Sequence, residues 1–362
     1  MKTEIKTAII CGIIITVGII SISIFYNEVD MKRNTTYNIE IEDKSKLQKV
    51  PSILDATGYI NTESNELAET LEGKVVLYDI WTYSCINCIR TLPYITTWDE
   101  KYGDEGLVIV GIHTPEFEFE KDKNNVLAAV EKFGINYPVI LDNEKEIWNA
   151  FQNKYWPRKY IADHDGYIRY DHIGEGAYKE TEKVIQQLLQ ERSESLSIKT
   201  NTFELTTLKE FEHSTFRTPE LYFGYKFASS RNNLGNENGF EPESVVEYNI
   251  PLEVKQHYFY LDGKWNNSKD SMELVSENGL IMLNYNAKQV NIVASNNAEL
   301  EIFIDGEFVP KHMIGMDLTP DSKVIITEPR LYNIVDSIVT ESHELIIKVN
   351  DPKFEIFTFT FG

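Results

Sequence analysis

The sequence is poor in cysteine and in positive charge, and each shortage excludes a class of protein. Its 362 residues include three cysteines, at positions 11, 85 and 88, so no second pair exists to build a disulfide framework. Lysine and arginine together number 35 against 57 acidic residues, which gives a formal net charge of -22. Because a phosphate backbone requires a cationic face, nucleic-acid binding is excluded as the function.

The sequence also lacks the ligand pairs of a metal site. A structural zinc ion at Cys85 and Cys88 needs a second Cys or His pair at zinc spacing, and none exists elsewhere in the chain. The histidines of the C-terminal half are scattered, with neither metal spacing nor a nucleophile motif beside them. We therefore expect no metal and no other cofactor.

Long apolar runs are absent except at the N-terminus. Residues 7–26 are about 20 residues without a charge, the length that a helix needs to cross a bilayer. A cleaved signal peptide is the alternative, but the run exceeds an ordinary signal-peptide core and no small-x-small site follows it. Lys2 and Lys6 favour an N-terminus inside the cell, although Lys32 and Arg33 weaken this bias. We expect an uncleaved single-pass anchor with the rest of the chain outside.

The region after about residue 48 alternates between strand and helix patterns. Val75–Trp81 and Leu107–Ile112 are apolar and β-branched, as expected for strands covered on both faces. Apolar residues recur with helical spacing from Ile89 to Trp98 and again from Val126 to Phe133. A later hairpin turn is indicated by Asp165-Gly166. This alternation predicts an α/β domain with a central sheet.

The C-terminal region lacks any convincing helical period. Strand-like runs such as Leu300–Ile304 and Phe357–Phe361 alternate with turn signals such as Asp262-Gly263 and Asp305-Gly306. In the last run three phenylalanines alternate with threonines, which predicts that the three share one face. Many short strands of this kind predict a β-sandwich or jelly roll.

These patterns divide the chain into six segments. The predicted segments are a cytoplasmic tail at 1–6, a transmembrane anchor at 7–26, a stalk at 27–47, an α/β redox domain at 48–192, a linker at 193–214 and a β-sandwich at 215–362.

Cys85 and Cys88 form a Cys-x-x-Cys motif that follows a predicted buried strand and opens a predicted helix. At the helix N-terminus, free N–H groups and the helix dipole favour the thiolate form of Cys85. Cys88 lies one turn further on, within bonding reach and more buried. This arrangement predicts thiol-disulfide exchange, in which Cys85 attacks a substrate disulfide and Cys88 resolves the mixed disulfide.

The runs WTYSCINCIRTLPYI, GIHTPEFEFEKD, NKYWPRKYIAD and FTFTFG resemble the thioredoxin superfamily. In particular they are similar to the soluble C-terminal part of DipZ-type proteins, a TlpA/ResA-like thioredoxin domain followed by a β-sandwich that resembles a carbohydrate-binding module. The resemblance spans residues 48–362. DipZ-type proteins carry a polytopic electron-transporting membrane domain where this chain has one predicted anchor, so the resemblance implies a separate CcdA-like electron donor.

The resemblance also implies roles for individual residues. Trp156 and Pro157 are expected to bind the substrate, because Pro157 matches the cis-proline that faces the active-site disulfide; the alternative is an ordinary proline at a strand start. Glu116 matches a glutamate that accepts the proton of the resolving cysteine, the alternative being a solvated loop acid. Trp81 is expected either to shield the substrate-binding pocket or to belong to the core.

Several functions share this motif, and the sequence leaves them open. The expected one is reduction of disulfides in exported proteins such as apocytochrome c or a wall enzyme, although an oxidase or isomerase has the same motif. A peroxiredoxin-like peroxidase is disfavoured, because Tyr78 stands where that motif has proline. A cell-wall adaptor that binds glycan is the third possibility. Its candidate sugar-stacking residues are Tyr222, Tyr225, Tyr258, Tyr260 and Trp265.

Overall fold

The structure, a computed structural model, describes residues 44–199, 201–213, 217–227, 231 and 233–362. The chain separates into two compact units, Met1–Leu47 and Gln48–Gly362. In the first unit a short 3-10 helix at Lys44–Lys46 is described, and the predicted anchor at 7–26 lies outside the described residues. Within the described part of the chain, no helix has both the length and the apolarity needed to span a membrane.

The second unit begins with an α/β domain, as the sequence predicts. Its elements are β1 Gly58–Ile60, α1 Ser64–Leu71, β2 Val75–Trp81, α2 Ile86–Tyr102, β3 Leu107–His113, α3 Lys123–Lys132, β4 Val139–Leu141, α4 Glu146–Ala150, β5 Arg158–Ala162, β6 Ile168–Ile173 and α5 Tyr178–Leu196. The six strands form one sheet in the order β1-β4-β3-β2-β5-β6. Strands β2, β3 and β4 run parallel, and the outer pairs are antiparallel.

The predicted elements of this domain are confirmed, because local periodicity and burial agree. Every residue of β2 and β3 is buried, as expected for apolar strands covered on both faces. The predicted stripe on α2 buries Leu92, Ile95 and Trp98. After α3, Gly134 takes a φ of +64°, the left-handed conformation that commonly follows a helix end. Gly166 has a φ of +80° in the β5–β6 hairpin.

The segment predicted to be a linker is only partly separate from this domain. Helix α5 continues to Leu196, into the predicted linker. The buried Glu182 carboxylate on α5 accepts hydrogen bonds from the Thr206 backbone N–H at 2.7 Å and from Lys101 Nζ at 2.8 Å. These bonds attach the segment that follows α5 to both α2 and α5.

The C-terminal region is rich in β-structure. Its strands are β7 Leu221–Tyr222, β8 Val245–Tyr248, β9 Phe259–Asn267, β10 Met272–Leu274, β11 Gly279–Ser295, β12 Ala298–Ile304, β13 Glu307–Phe308, β14 Lys323–Ile326, β15 Arg330–Val349 and β16 Glu355–Phe361. All ten belong to one connected sheet, in which the long strands β11 and β15 pair along most of their length. They enclose a large aliphatic and aromatic core.

Two details of this region differ from the sequence-based predictions. Gly263 does not form a hairpin turn but lies inside β9, with a φ of +97°. A side chain there would meet the Asn278 carbonyl oxygen at 2.8 Å, so the position requires glycine. The predicted single face of phenylalanines is wrong at Phe357, because an irregularity in the β11–β16 register lies at this residue. Phe359 therefore enters the domain core, and Phe357 joins a separate cluster with Phe117.

Candidate redox site

Cys85 and Cys88 lie at the start of α2, at the end of the sheet where β2 finishes. Cys85 is the N-cap residue, with extended backbone angles, and its carbonyl oxygen accepts the first helical hydrogen bond, from Ile89 N–H at 3.0 Å. The structure holds both cysteines as free thiols, Cys85 half-buried and Cys88 buried. The Cys85 side chain lies close enough to Cys88 to raise the pKa of the Cys88 thiol. One thiol is therefore available to a substrate and the other stands behind it.

A buried acid and a buried lysine lie near the cysteines, and the charge of each acts on Cys88. Asp79 on β2 lies opposite Lys159 on β5 in the antiparallel register, and both are almost completely inaccessible to solvent. Burial raises the pKa of Asp79 to about 6, although the Lys159 charge opposes this shift. Burial also lowers the pKa of Lys159. Asp79 is thus an acid that changes protonation near neutrality inside the sheet.

Asp79 also acts on Cys88. Burial raises the pKa of the Cys88 thiol well above its ordinary value, and the neighbouring Cys85 and the Asp79 charge raise it further. Thr82 partly opposes these effects through a backbone hydrogen bond to the Cys88 sulfur. Cys88 therefore keeps its proton in the resting dithiol and needs a nearby base before it can attack a disulfide.

Glu120 is a second buried carboxyl at the site. Its Oε1 accepts a hydrogen bond from the Ser84 hydroxyl at 2.6 Å, next to Cys85 in the chain. Its Oε2 accepts the backbone N–H groups of Glu116 at 2.6 Å and Phe117 at 3.0 Å. Burial raises the pKa of Glu120, and these hydrogen bonds oppose the shift. Glu120 thus fixes the residue before Cys85 to the loop that follows β3.

Glu116 is hydrogen-bonded to the C-terminal region. Its Oε1 accepts a hydrogen bond of 2.9 Å from the Tyr222 hydroxyl in the C-terminal region. Burial and the charges of Glu220 and Glu120 raise the pKa of Glu116 to about 8. Asp79 is a carboxyl group whose charge acts on Cys88, so it is a second candidate proton acceptor, and the role of Glu116 stays a prediction.

The predicted substrate-binding residues fall into two groups. The Trp156–Pro157 peptide bond is cis, and it lies beside the end of β2, since Arg158 pairs with Ile80. Trp156 is half-buried and donates a hydrogen bond from Nε1 to the Thr114 carbonyl oxygen at 3.0 Å. Trp81 is completely buried, with its ring edge-on to His113 at 5.3 Å. Pro157 and Trp156 thus lie at the cysteine end of the sheet, whereas Trp81 is part of the core beneath it.

Arg90, two residues after Cys88, links the site to the C-terminal region. Its Nη2 donates a hydrogen bond of 2.5 Å to the Gln289 side-chain oxygen on β11. Its guanidinium lies 3.6 Å from the centroid of the Phe211 ring and 3.8 Å from Glu175 Oε2. The Arg90 charge also interacts with Cys85. A cation is therefore held near the half-buried Cys85 thiol by contacts from both regions of the chain.

Sequence reasoning missed Asp79, Lys159, Glu120 and Arg90. For Asp79 and Lys159 a signal was present, because Asp79 interrupts an otherwise apolar strand and Lys159 stands in another. A charge in a strand buried on both faces needs a partner. For Glu120 there was no such signal, since three glutamates alternate along one loop.

Comparison with protein families agrees with this division of the chain. Residues 47–189 match the Redoxin family, and residues 218–362 match the family described as thioredoxin like C-terminal domain. The cysteines and the Asp79–Lys159 pair lie in the first match, and Tyr222 and Gln289 lie in the second.

Individual relatives cover different parts of the chain. Protein DipZ of Mycobacterium tuberculosis (strain CDC 1551 / Oshkosh) is 32% identical over 317 residues, which are 86% of this chain and 42% of DipZ. The chain thus spans less than half the length of this relative. Thiol-disulfide oxidoreductase YkuV of Bacillus subtilis is 28% identical over 145 residues, 40% of this chain and 96% of YkuV. A solution structure of a thioredoxin-like protein in the oxidised form shares 26% identity over 40% of this chain and 97% of its own, with a TM-score of 0.36.

Proposed function

Because the chain belongs to the thioredoxin-like proteins, we propose that it is a thiol-disulfide oxidoreductase that reduces disulfides of exported proteins. The observation that carries this proposal is the pair of free thiols at the start of α2, one half-buried and one buried beside an acid. A dithiol of this kind transfers two electrons to a substrate disulfide through a mixed disulfide.

The reaction follows from the geometry of the two cysteines. The Cys85 thiolate attacks one sulfur of the client disulfide, forms a mixed disulfide and releases the other client sulfur as a thiolate, which takes up a proton. Cys88 then loses its proton to the Asp79 carboxylate and attacks the Cys85 sulfur. The client leaves as a dithiol, and the protein is left with a Cys85–Cys88 disulfide.

Lys159 gives Asp79 the properties that this step needs. Without a partner, an acid as buried as Asp79 would hold its proton more tightly, and the Lys159 charge lowers its pKa toward the working range. Because its pKa stays near 6, Asp79 is ionised at neutral pH and is still a competent proton acceptor.

Each turnover oxidises the protein, so the cycle needs a source of electrons. We propose a membrane dithiol donor of the CcdA-like kind, with the protein anchored by the apolar segment at 7–26 and its folded unit outside the membrane. The support is the length of that segment and the single Cys-x-x-Cys motif, which leaves no second dithiol in this chain to reduce the first. Cytochrome c biogenesis is one process that uses such a reductant.

We further propose that the C-terminal region is a β-sandwich like that of carbohydrate-binding modules. Glycan is a possible partner on that basis, but the candidate stacking residues are only partly available. Tyr260 and Trp265 are buried in the domain core, and Tyr222 is buried against Phe117 and Phe227. The β-sandwich proposal itself is supported by the single core that β11 and β15 enclose with their neighbours.

A resolving-cysteine trap tests the central proposal. In Cys88→Ala, Cys85 should remain joined to its clients, which non-reducing electrophoresis and mass spectrometry of cell extracts would identify. Cys85→Ala is the matched control and should give no such adducts. Recovery of none from oxidised cells expressing Cys88→Ala contradicts the cycle, and rapid peroxide consumption by the wild type would favour a peroxidase instead.

A further inference from the structure

A cleft opens between the two domains at the first turns of α2, which follow the half-buried Cys85 in the chain. It has a volume of about 610 Å³, within the size range of protein ligand sites. Ile86 and Ile89, on the first turns of α2 after Cys85, contribute to one wall together with Ala128 of α3. The opposite wall comes from the C-terminal region, including Leu331 and Met316. We call this the junction cleft.

The charges around the junction cleft are largely satisfied within the protein. Arg330 forms ion pairs with Asp317 at 2.9 Å and with Glu328 at 3.0 Å. Arg90 is held by Gln289 and lies against Phe211. Lys132 and Asp336 complete a lining of three cations and three anions, so the cleft has no net charge and does not select a strongly charged ligand. The uncharged lining combines aliphatic and aromatic side chains with carboxamides, which suit a neutral chain with both apolar groups and amides.

Aromatic faces in the junction cleft are mostly covered. The Tyr83 ring is stacked on His113, with 5.6 Å between centroids, and its hydroxyl donates to the Pro329 carbonyl oxygen at 3.1 Å. One face of the Phe211 ring is covered by the Arg90 guanidinium. Sugar recognition commonly uses open aromatic faces for stacking, so this lining favours a polypeptide over a glycan.

The rim of the junction cleft has an adaptable apolar side chain. Met316 is 92% exposed, although it is a large apolar residue that lines the cleft. Methionine is flexible and polarisable, which suits binding surfaces that accept varied partners. An enzyme that reduces several different exported proteins needs such tolerance in its substrate site.

We propose that the junction cleft binds an extended segment of the client polypeptide next to its disulfide. An apolar client side chain would lie against Ile86 and Ile89 while the client sulfur reaches Cys85. This inference rests on the proposed reductase function and gives it a substrate class, unfolded or flexible protein rather than small disulfides. It also gives the C-terminal region a role in the reaction, since that region supplies one wall of the substrate site.

Substitutions in the two walls test this inference. Ala128→Trp places a bulky ring on the exposed face of α3 that lines the cleft, and Met316→Glu places a charge on the opposite rim. Ile338→Glu is the matched control, because Ile338 is 84% exposed and does not line the cleft. Each purified protein would be assayed for reduction of insulin and of the small disulfide 5,5′-dithiobis(2-nitrobenzoate).

We expect Ala128→Trp and Met316→Glu to lower the ratio of kcat/KM for insulin to that for the small disulfide at least fivefold, mainly by raising KM for insulin. Ile338→Glu should leave both values within twofold of wild type. An unchanged ratio in both cleft variants overturns the inference. If wild type reduces neither substrate, the proposed function fails instead. If a soluble wall oligosaccharide binds wild type but not Ala128→Trp in calorimetry, the occupant is a glycan and the peptide assignment is wrong.

Discussion

Tyr222 donates a hydrogen bond of 2.9 Å to Glu116, and this bond joins the C-terminal domain to the loop after β3 of the redox domain. The same loop is fixed to Ser84, beside Cys85, through the Glu120 carboxylate. A continuous set of contacts therefore runs from the C-terminal domain to the active cysteine. The β-rich region is part of the structure that supports the redox site.

Glu116 should make stability depend on pH. Its folded-state pKa is raised from 4.5 to about 8, so between these values the folded protein holds a proton that the unfolded chain has lost. The contribution of the Glu116 carboxyl to the free energy of unfolding is thus complete below pH 4.5 and is lost as the pH rises through 8. We therefore expect the free energy of unfolding of Glu116→Gln, relative to that of wild type, to increase by on the order of 1 kcal/mol from pH 5.5 to pH 8.5, allowing for partial solvent access. Urea denaturation at both pH values measures this, and equal pH dependence in both proteins contradicts it.

Asp79→Asn should slow the second chemical step. Without the carboxylate, Cys88 has no base to accept its proton, and we expect resolution of a mixed disulfide on Cys85 to fall by about 10–100-fold. In wild type the rate should rise with pH as Asp79 ionises near pH 6, and the variant should lack this rise.

The measurement is release of thionitrobenzoate from a mixed disulfide preformed on Cys85, between pH 4.5 and pH 8.5. Glu116→Gln serves as the control, because Glu116 is bound to Tyr222 and should not affect this step. A slower rate in Glu116→Gln and a normal one in Asp79→Asn would reverse the assignment of the proton acceptor.

Arg90→Met should make the dithiol more strongly reducing. Because a nearby cation stabilises a reduced thiolate over a disulfide, removal of the Arg90 charge should lower the reduction potential by about 10–20 mV. Arg90→Lys keeps the charge and should retain most of the wild-type value. Equilibration with glutathione buffers, followed by alkylation and mass spectrometry, measures the potential. Equal potentials in wild type and Arg90→Met would show that the cation is only structural.

Phe357→Ala should destabilise the junction between the domains. Phe357 is 3% exposed and its ring lies 5.2 Å from that of Phe117 and 4.6 Å from that of Phe119, between centroids. Loss of a buried phenylalanine side chain typically costs about 3–5 kcal/mol. Phe308→Ala is the matched control, since Phe308 is 59% exposed and should cost below about 1 kcal/mol. Guanidinium denaturation compares them, and a similar loss in both variants would argue against a packed junction.

Much of the redox domain could be predicted from its local pattern. The strands at β2 and β3, the helices α2 and α3 and the place of Cys85 and Cys88 between strand and helix follow from hydrophobic periodicity and motif spacing. For the C-terminal region the sequence predicted many short strands, but it did not predict the register in which those strands pair. The irregularity that turns Phe357 toward Phe117 depends on how β16 pairs with β11, which alternation along one strand does not encode.

The sequence by itself determined the dithiol motif, the order of strands and helices around it and the acidic character of the chain, because these depend on composition and on residues close together in the sequence. Only the tertiary structure decided which carboxyl group serves which partner. The Asp79 charge acts on Cys88, whereas Glu116 is hydrogen-bonded to Tyr222, 106 residues away, and Arg90 to Gln289, 199 residues away. The proton affinity of a buried acid depends on its desolvation and on charges that folding brings close, and these distances do not exist until the two domains pack together.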